Sequence, residues 1–424
     1  VTPRKLFSIV VLALLFNAIN LCAQELPDVS SVKDLPSTTP VVPRYKRLQP
    51  LSIDSQPDFL NSAASPMLST NVQVAQPSLA NVISIPNFQG SFVSRGRTWP
   101  FTMMGGPPTT GATTNIPVHI VAVSLKLQNA NLVTFTTVPV ATFETPILKS
   151  PNFQPANYSS GSAIQFADAV QRAEFFHSMK STWHTMLHPV TIVHSVTITV
   201  PRFTTVVLNG KTTQVQTYFT SKSSDGHTIV FVLDQFFNLQ MFNLGISEIH
   251  AGRFVTGALN VALLPNTFLF SLNSAGGMGS CCTIGFHTLF TNSATNQSRW
   301  IFAFASWISP GIFSGGLQDV TGLSHEISES VNDPFLSNLV PAWQFPNEPG
   351  TCQDNLEVGD PVEVLSTPVF PVHVSGVTYH PQTEALLQWF KQTSPSTALG
   401  GAFSYPNTKA LTAPAIPFGP LTCP

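Results

Sequence analysis

The chain has 424 residues, 43% of them hydrophobic and only 9% charged, with a formal net charge of −2. That balance excludes an electrostatic case for nucleic acid. Charged residues make up about 25% of an ordinary globular protein, so here Ser, Thr, Asn, Gln and Pro must cover the surface. The 36 prolines and 32 phenylalanines favour a loop-rich, β-rich protein over a helical bundle, and the length allows two or three domains.

Residues 1–23 read as a secretory signal. Arg4 and Lys5 form its charged part, Leu6 to Phe16 its apolar run, and a small-residue site lies near Ala23. The apolar run falls short of the roughly 20 residues that span a bilayer. No membrane span is therefore expected after cleavage, and the mature chain is expected to be secreted, periplasmic or at the cell surface. A lipoprotein signal at Cys22 is disfavoured by the bulky Leu21 before it. Val1 suggests a bacterial alternative start codon.

Residues 24–90, rich in Pro, Ser, Val and Gln, read as a poorly ordered lead-in. A β-rich domain is expected over 91–225. β-Branched runs from Ile116 to Phe143 and from Val190 to Val207 predict strands. Between them the uninterrupted stretch 163–188 predicts one long helix, with Phe166, Val170, Ala173, Phe176, Met179, Trp183 and Leu187 as its apolar stripe. His184 and His188 would lie four apart on that helix and read as exposed histidines near its C-terminus.

A second domain is expected over 226–424. Apolar runs at Thr228–Phe237, Gly257–Phe270, Cys281–Phe290 and Arg299–Ile308 have the character of buried strands. A glycine-rich turn, Gly311 to Gly316, leads into a helix over about 317–333. Val320, Leu323, Ile327 and Val331 form its apolar side, and His325, Glu326, Glu329 and Asp333 gather on the other. Pro334 ends it. Thr383–Gln392 predicts one further short helix.

The polar side of that helix poses an electrostatic problem. Like charges three and four residues apart repel by a few tenths of a kcal/mol each. No Lys or Arg occurs between Arg299 and Lys391, yet that interval holds nearly half of the chain's 21 acidic residues. A bound cation would resolve the conflict. Histidine beside carboxylate suits zinc, with calcium as the alternative. In the HExxH pattern two histidines four apart hold zinc and the glutamate after the first acts as general base. Here Glu329 stands in the second ligand position and Glu326 in that of the base. Glu357 and Asp360 are the candidates for a further ligand, with Asp333 and His287 behind them. The corresponding activity is zinc-dependent peptide hydrolysis on a peptide or protein substrate. The competing reading is a non-catalytic surface or matrix protein whose metal or acidic cluster is structural.

After cleavage four cysteines remain, Cys281, Cys282, Cys352 and Cys423, and an exported protein permits disulfides. Adjacent cysteines rarely pair, so links from the 281–282 pair to Cys352 or Cys423 are expected.

SHEISESVNDPF, Trp343 and LEVGD, together with Cys282, Gly285, Phe286 and His287 upstream, resemble secreted proteins related to the plant phosphate-induced/EXORDIUM family. The resemblance covers roughly residues 260–365. It implies export and a zincin-like site, with His325, Glu329 and Glu357 or Asp360 at the metal and Glu326 as base. Cys352 precedes the acidic element, where the relatives often have a cysteine after it, and the gap before Trp343 is longer. The overall expectation is an α+β protein, with a β-rich N-terminal part and a C-terminal zincin-like domain.

Overall fold

A computed structural model describes residues 44–45 (backbone only), 50–53, 84–158, 162–292 and 298–423. All of them fall in one unit, 36–424. The expected signal segment lies outside the described residues.

The first strands are β1 (Arg44–Tyr45), β2 (Leu51–Ser52), the hairpin of β3 (Asn87–Ser94) with β4 (Arg97–Met104), the long β5 (Thr113–Gln128), and β6 (Phe135–Val138). Helices α1 (Ala141–Leu148) and α2 (Phe166–Glu174) lead to β7 (His184–Val200) and a second hairpin, β8 (Phe203–Leu208) with β9 (Lys211–Gln216). Next come β10 (Tyr218–Lys222), β11 (Thr228–Leu233), helix α3 (Asp234–His250), β12 (Leu259–Pro265) and β13 (Thr267–Leu272). Strands β14 (Met278–Thr291) and β15 (Arg299–Trp307) precede helix α4 (Thr321–Asn332). The C-terminal part contains β16 (Leu339–Phe345), β17 (Glu348–Asn355) and the short helices α5 (Asp360–Glu363) and α6 (Leu387–Phe390).

A large mixed sheet organises these elements, in the order β10-β11-β13-β14-β15-β12-β5-β6. β7 runs parallel to β5 along the edge opposite β12, and β1 and β2 pair with β14. The protein is thus α+β. The sheet crosses the expected domain boundary at 225/226, because β5 pairs directly with β12.

Both faces of the sheet are covered, which explains the near-continuous apolar runs. On one face Leu259, Val261, Leu263, Ile301 and Ala305 pack with Leu323, Ile327 and Val331 of α4. On the other, Ala262, Leu264, Phe286, Phe290, Phe302 and Phe304 pack with Phe237, Met241 and Phe242 of α3. Successive residues of a strand point to opposite faces, so β12 and β15 feed both cores. Gly245 lets α3 approach closely: a Cβ there would lie 2.1 Å from the Phe290 ring. A third core joins the β3–β4 hairpin to the C-terminal segment through Trp99, Trp183, Trp343 and Trp389.

Four expectations are corrected. The helix expected over 163–188 ends at Glu174, and His184 to Leu187 belong to β7. From His184 onward, pairing with the long β5 prevails over the local helical periodicity. The Arg172 guanidinium anchors the turn between them by donating to the carbonyls of Trp183 and Ser181. The run expected as a strand to Phe237 stops at Leu233, where Asp234 opens α3 and its carboxylate meets the positive end of the helix. Within the lead-in, β1, β2 and the start of β3 are strands, while its residues 24–43, 46–49 and 54–83 lie outside the described ones. Finally, the segment expected as a helix over Thr383–Gln392 is helical only at Leu387–Phe390, because Glu384–Ala385 pairs with Ser404–Tyr405.

The cysteine pairing is also corrected. Cys281 and Cys282 bond to each other across a cis peptide that brings their Cα atoms to 3.0 Å, and Cys352 bonds to Cys423 with Cα atoms 5.7 Å apart. β17 pairs with β16, away from β14, so Cys352 has its partner in the C-terminal segment.

Candidate metal centre

The centre forms where α4 crosses β14 and β15 and meets residues 356–360. β14 sends Phe286 and Phe290 to the α3 side and His287 to the α4 side. Every residue of α4 is buried, its polar side included. Ser324 Oγ receives the Gln382 N–H at 2.8 Å, and Gln382 Nε2 donates to the Gly359 carbonyl at 2.7 Å, which ties the C-terminal segment and the 356–360 loop to the helix. Two glycines make the close approaches. A Cβ on Gly285 would lie 2.5 Å from Glu326 Oε1, and one on Gly359 would lie 2.2 Å from His325 Nδ1.

Glu329 sits at the middle. Its Oε1 is 3.0 Å from His325 Nε2 and receives the Gly359 N–H at 3.2 Å, while its Oε2 is 3.2 Å from His287 Nδ1. Asp360 Oδ1 lies 3.7 Å from His325 Nε2, and Glu326 Oε2 lies 3.4 Å from His287 Nδ1. Glu357 Oε2 stands 3.6 Å from the other ring nitrogen of His287, Nε2. Two sets of ligand atoms result, His287–Glu326–Glu329 and His325–Glu329–Asp360, each within 4.8 Å of one another. Glu326 is fully buried, yet neither of its oxygens accepts a hydrogen bond of ordinary geometry. Buried polar groups are normally satisfied, and one that is not marks a site to be explained.

Burial pushes the Glu326 carboxyl up to about 8, with the Glu329 charge adding to it against the pull of His287. Burial also raises Asp360 and Glu384 well above the usual carboxylate range, and the charge on Glu329 again adds. For Glu329 burial acts in the same direction, but His325 and His287 together outweigh it and hold the group well below that range. Burial works against charge on His287, yet Glu357, Glu326 and Glu329 raise it well above its ordinary value. Such a constellation is costly without positive charge among the carboxylates. The basic residues that bracket the acid-rich interval are engaged elsewhere: Arg299 stacks 4.8 Å over Phe335, and Lys391 lies 5.7 Å over Phe92.

The fold therefore brings together His325, Glu326, Glu329, Asp360 and Glu357, with His287 at the centre rather than at the margin. Asp333 is not among them. Its Oδ1 caps the turn after α4, accepting the N–H groups of Ser337 and Asn338 at 2.8 and 3.0 Å. His184 pairs with Asp168 at 2.7 Å, on a strand and away from the centre. Glu384 is the residue that sequence reasoning missed. It is fully buried, and the charges of Glu329, Glu326 and Asp360 act on it. Its only sequence signal is membership of the acid-rich interval. Two surface clefts, one including Phe143 and His227, the other Phe101 and Glu174, contain none of these residues.

The fold and the centre define a class, an α+β protein with a mixed sheet and a buried histidine–carboxylate cluster able to hold a metal ion. Compared with protein-family models, curated proteins and solved structures, the chain matches none. Among the described residues no helix is long and apolar enough to cross a membrane.

Proposed function

We propose that this is an exported metal-binding protein in which a divalent cation, zinc in the first instance, sits in the buried cluster and fastens α4 to β14 and to the 356–360 loop. The observation that carries the reading is Glu326, a wholly buried carboxylate neither of whose oxygens accepts a hydrogen bond of ordinary geometry, set beside Glu329 and 3.4 Å from His287. The donor set fits zinc. Ligand atoms around a tetrahedral zinc, at bonds of about 2.0–2.2 Å, stand roughly 3.3–3.6 Å apart. The nitrogen–oxygen separations here run from 3.0 to 3.7 Å. Two disulfides suit an oxidising compartment.

Complete burial of α4, with the two clefts described above lined by other residues, favours a structural cation over a catalytic one. The second reading, a zincin-like metallopeptidase, is favoured by one observation. Glu326 follows His325 in the position of a general base, with its carboxylate buried beside Glu329 and His287. There His325, Glu329 and Asp360 would hold the zinc, whose chemistry is to polarise a peptide carbonyl and acidify a water.

Metal content and thermal unfolding of the chelated and zinc-loaded protein test the proposal. A ligand at a thousand times its Kd stabilises by about 4 kcal/mol, so zinc is expected to raise the Tm by several degrees. An unchanged Tm with no retained zinc would refute it. Cleavage of a peptide library that Glu326→Gln abolishes, zinc still being bound, would establish the catalytic reading instead.

A further inference from the structure

We infer that the cluster is built for two divalent metal ions bridged by the Glu329 carboxylate. This rests on the metal-binding reading above and goes beyond it in number and in the part played by Glu326. The two oxygens of Glu329 face two different imidazoles, Oε1 toward His325 Nε2 at 3.0 Å and Oε2 toward His287 Nδ1 at 3.2 Å. Each imidazole nitrogen has one further carboxylate of its own, Asp360 at 3.7 Å and Glu326 at 3.4 Å. The arrangement is two sets of one histidine and one carboxylate sharing a central carboxylate. Paired metal sites place their ions about 3.5–4 Å apart, the span of one bridging carboxylate.

A single ion on His325, Glu329 and Asp360 leaves Glu326 buried with only the His287 imidazole beside it, at 3.4 Å and outside ordinary hydrogen-bond geometry. A second ion on His287, Glu326 and the Oε2 of Glu329 accounts for it. The charge argues the same way. Glu326, Glu329, Glu357, Asp360 and Glu384 are all buried in one place, and two divalent ions offset four of these five carboxylates where one offsets two. His287 has the further feature of a metal-binding imidazole: Nδ1 faces the proposed ion while Nε2 lies 3.6 Å from Glu357, an outer carboxylate that would fix the ring. Glu326 is then a ligand and not a base.

The test is a metal count on the full purified chain, stripped with chelator, dialysed against zinc and measured by emission spectroscopy. Two zinc ions per chain are expected for the wild type. Glu326→Gln and His287→Asn are each expected to hold one, and Glu357→Gln to weaken the second ion by about 10–100-fold. If the variants fail to fold, the wild-type protein loaded with two cobalt ions decides, because ions bridged by one carboxylate give a magnetically coupled spectrum. One zinc per wild-type chain, unchanged in Glu326→Gln, would overturn the two-ion arrangement and leave the single site standing. No zinc in the wild type would overturn both.

Discussion

At residue 359 the absence of a side chain matters more than any backbone angle. Gly359 has φ −83°, open to any residue, but a Cβ would lie 2.2 Å from the His325 ring. Gly359→Ala must therefore push the 356–360 loop or the imidazole aside. It is expected to weaken zinc binding by at least tenfold and to cost about 1–3 kcal/mol, the range for overpacking a dense interior. Titration calorimetry and urea unfolding would show this, and wild-type values for both would refute the contact. A second residue-scale prediction concerns Glu174, which belongs to neither set of ligand atoms. It is fully buried, its Oε1 accepts the Leu387 N–H at 3.0 Å, and burial pushes its carboxyl up to about 8, against that hydrogen bond and the Lys391 charge. The folded state then binds more protons than the unfolded chain between about pH 4.5 and 8, so this group's contribution is full below the unfolded value and is lost as pH rises. Glu174→Gln keeps the acceptor oxygen and removes the titration. It is expected to match the wild type at pH 4 and to exceed it at pH 9 by a few kcal/mol, on the order of 1–3. Urea unfolding at the two pH values checks this, and an equal difference at both would count against it.

Among the elements, α4 is where sequence and structure agree most closely. Its apolar side packs on the sheet, and Asp333 caps the turn that follows it. The helix expected over 163–188 shows the opposite. Its first turns form, with Phe166, Ala169, Val170 and Ala173 buried in one cluster. Leu187, spaced as if on the same stripe, belongs instead to β7, which lies along β5 from Thr113 to Leu127, and Trp183, just before that strand, packs in the third core. A stripe of helical spacing says that residues are buried, and not which partner buries them. The Cys352–Cys423 bond belongs to this scale too, since it fastens the C-terminal segment to β17 across a separation of 71 residues. Loop-closure entropy assigns such a link about 4 kcal/mol. Cys352→Ser with Cys423→Ser is expected to lower the urea midpoint accordingly. Peptide mapping that joins Cys352 to Cys281 or Cys282 instead would refute the pairing.

For the whole molecule, composition and apolar runs made a β-rich α+β protein legible in advance. The acid-rich interval and the His325–Glu329 spacing likewise pointed to the centre. Helix periodicity places His325, Glu326 and Glu329 within one turn of each other, and this needs nothing but the sequence. The partners of that helix come from elsewhere in the chain. His287 arrives on β14, Glu357 on the loop after β17, Asp360 at the start of α5, and Glu384 on a two-residue strand in the C-terminal segment. Sheet pairing over long separations sets those positions, and strand register has no signature in local spacing. Hence the chain alone determined which helix gathers a histidine and carboxylates on one side, because neighbours on a helix are fixed by the backbone's own geometry. Only the tertiary structure decided that two imidazoles share one carboxylate, because that depends on how β14 and the 356–360 loop pack around α4.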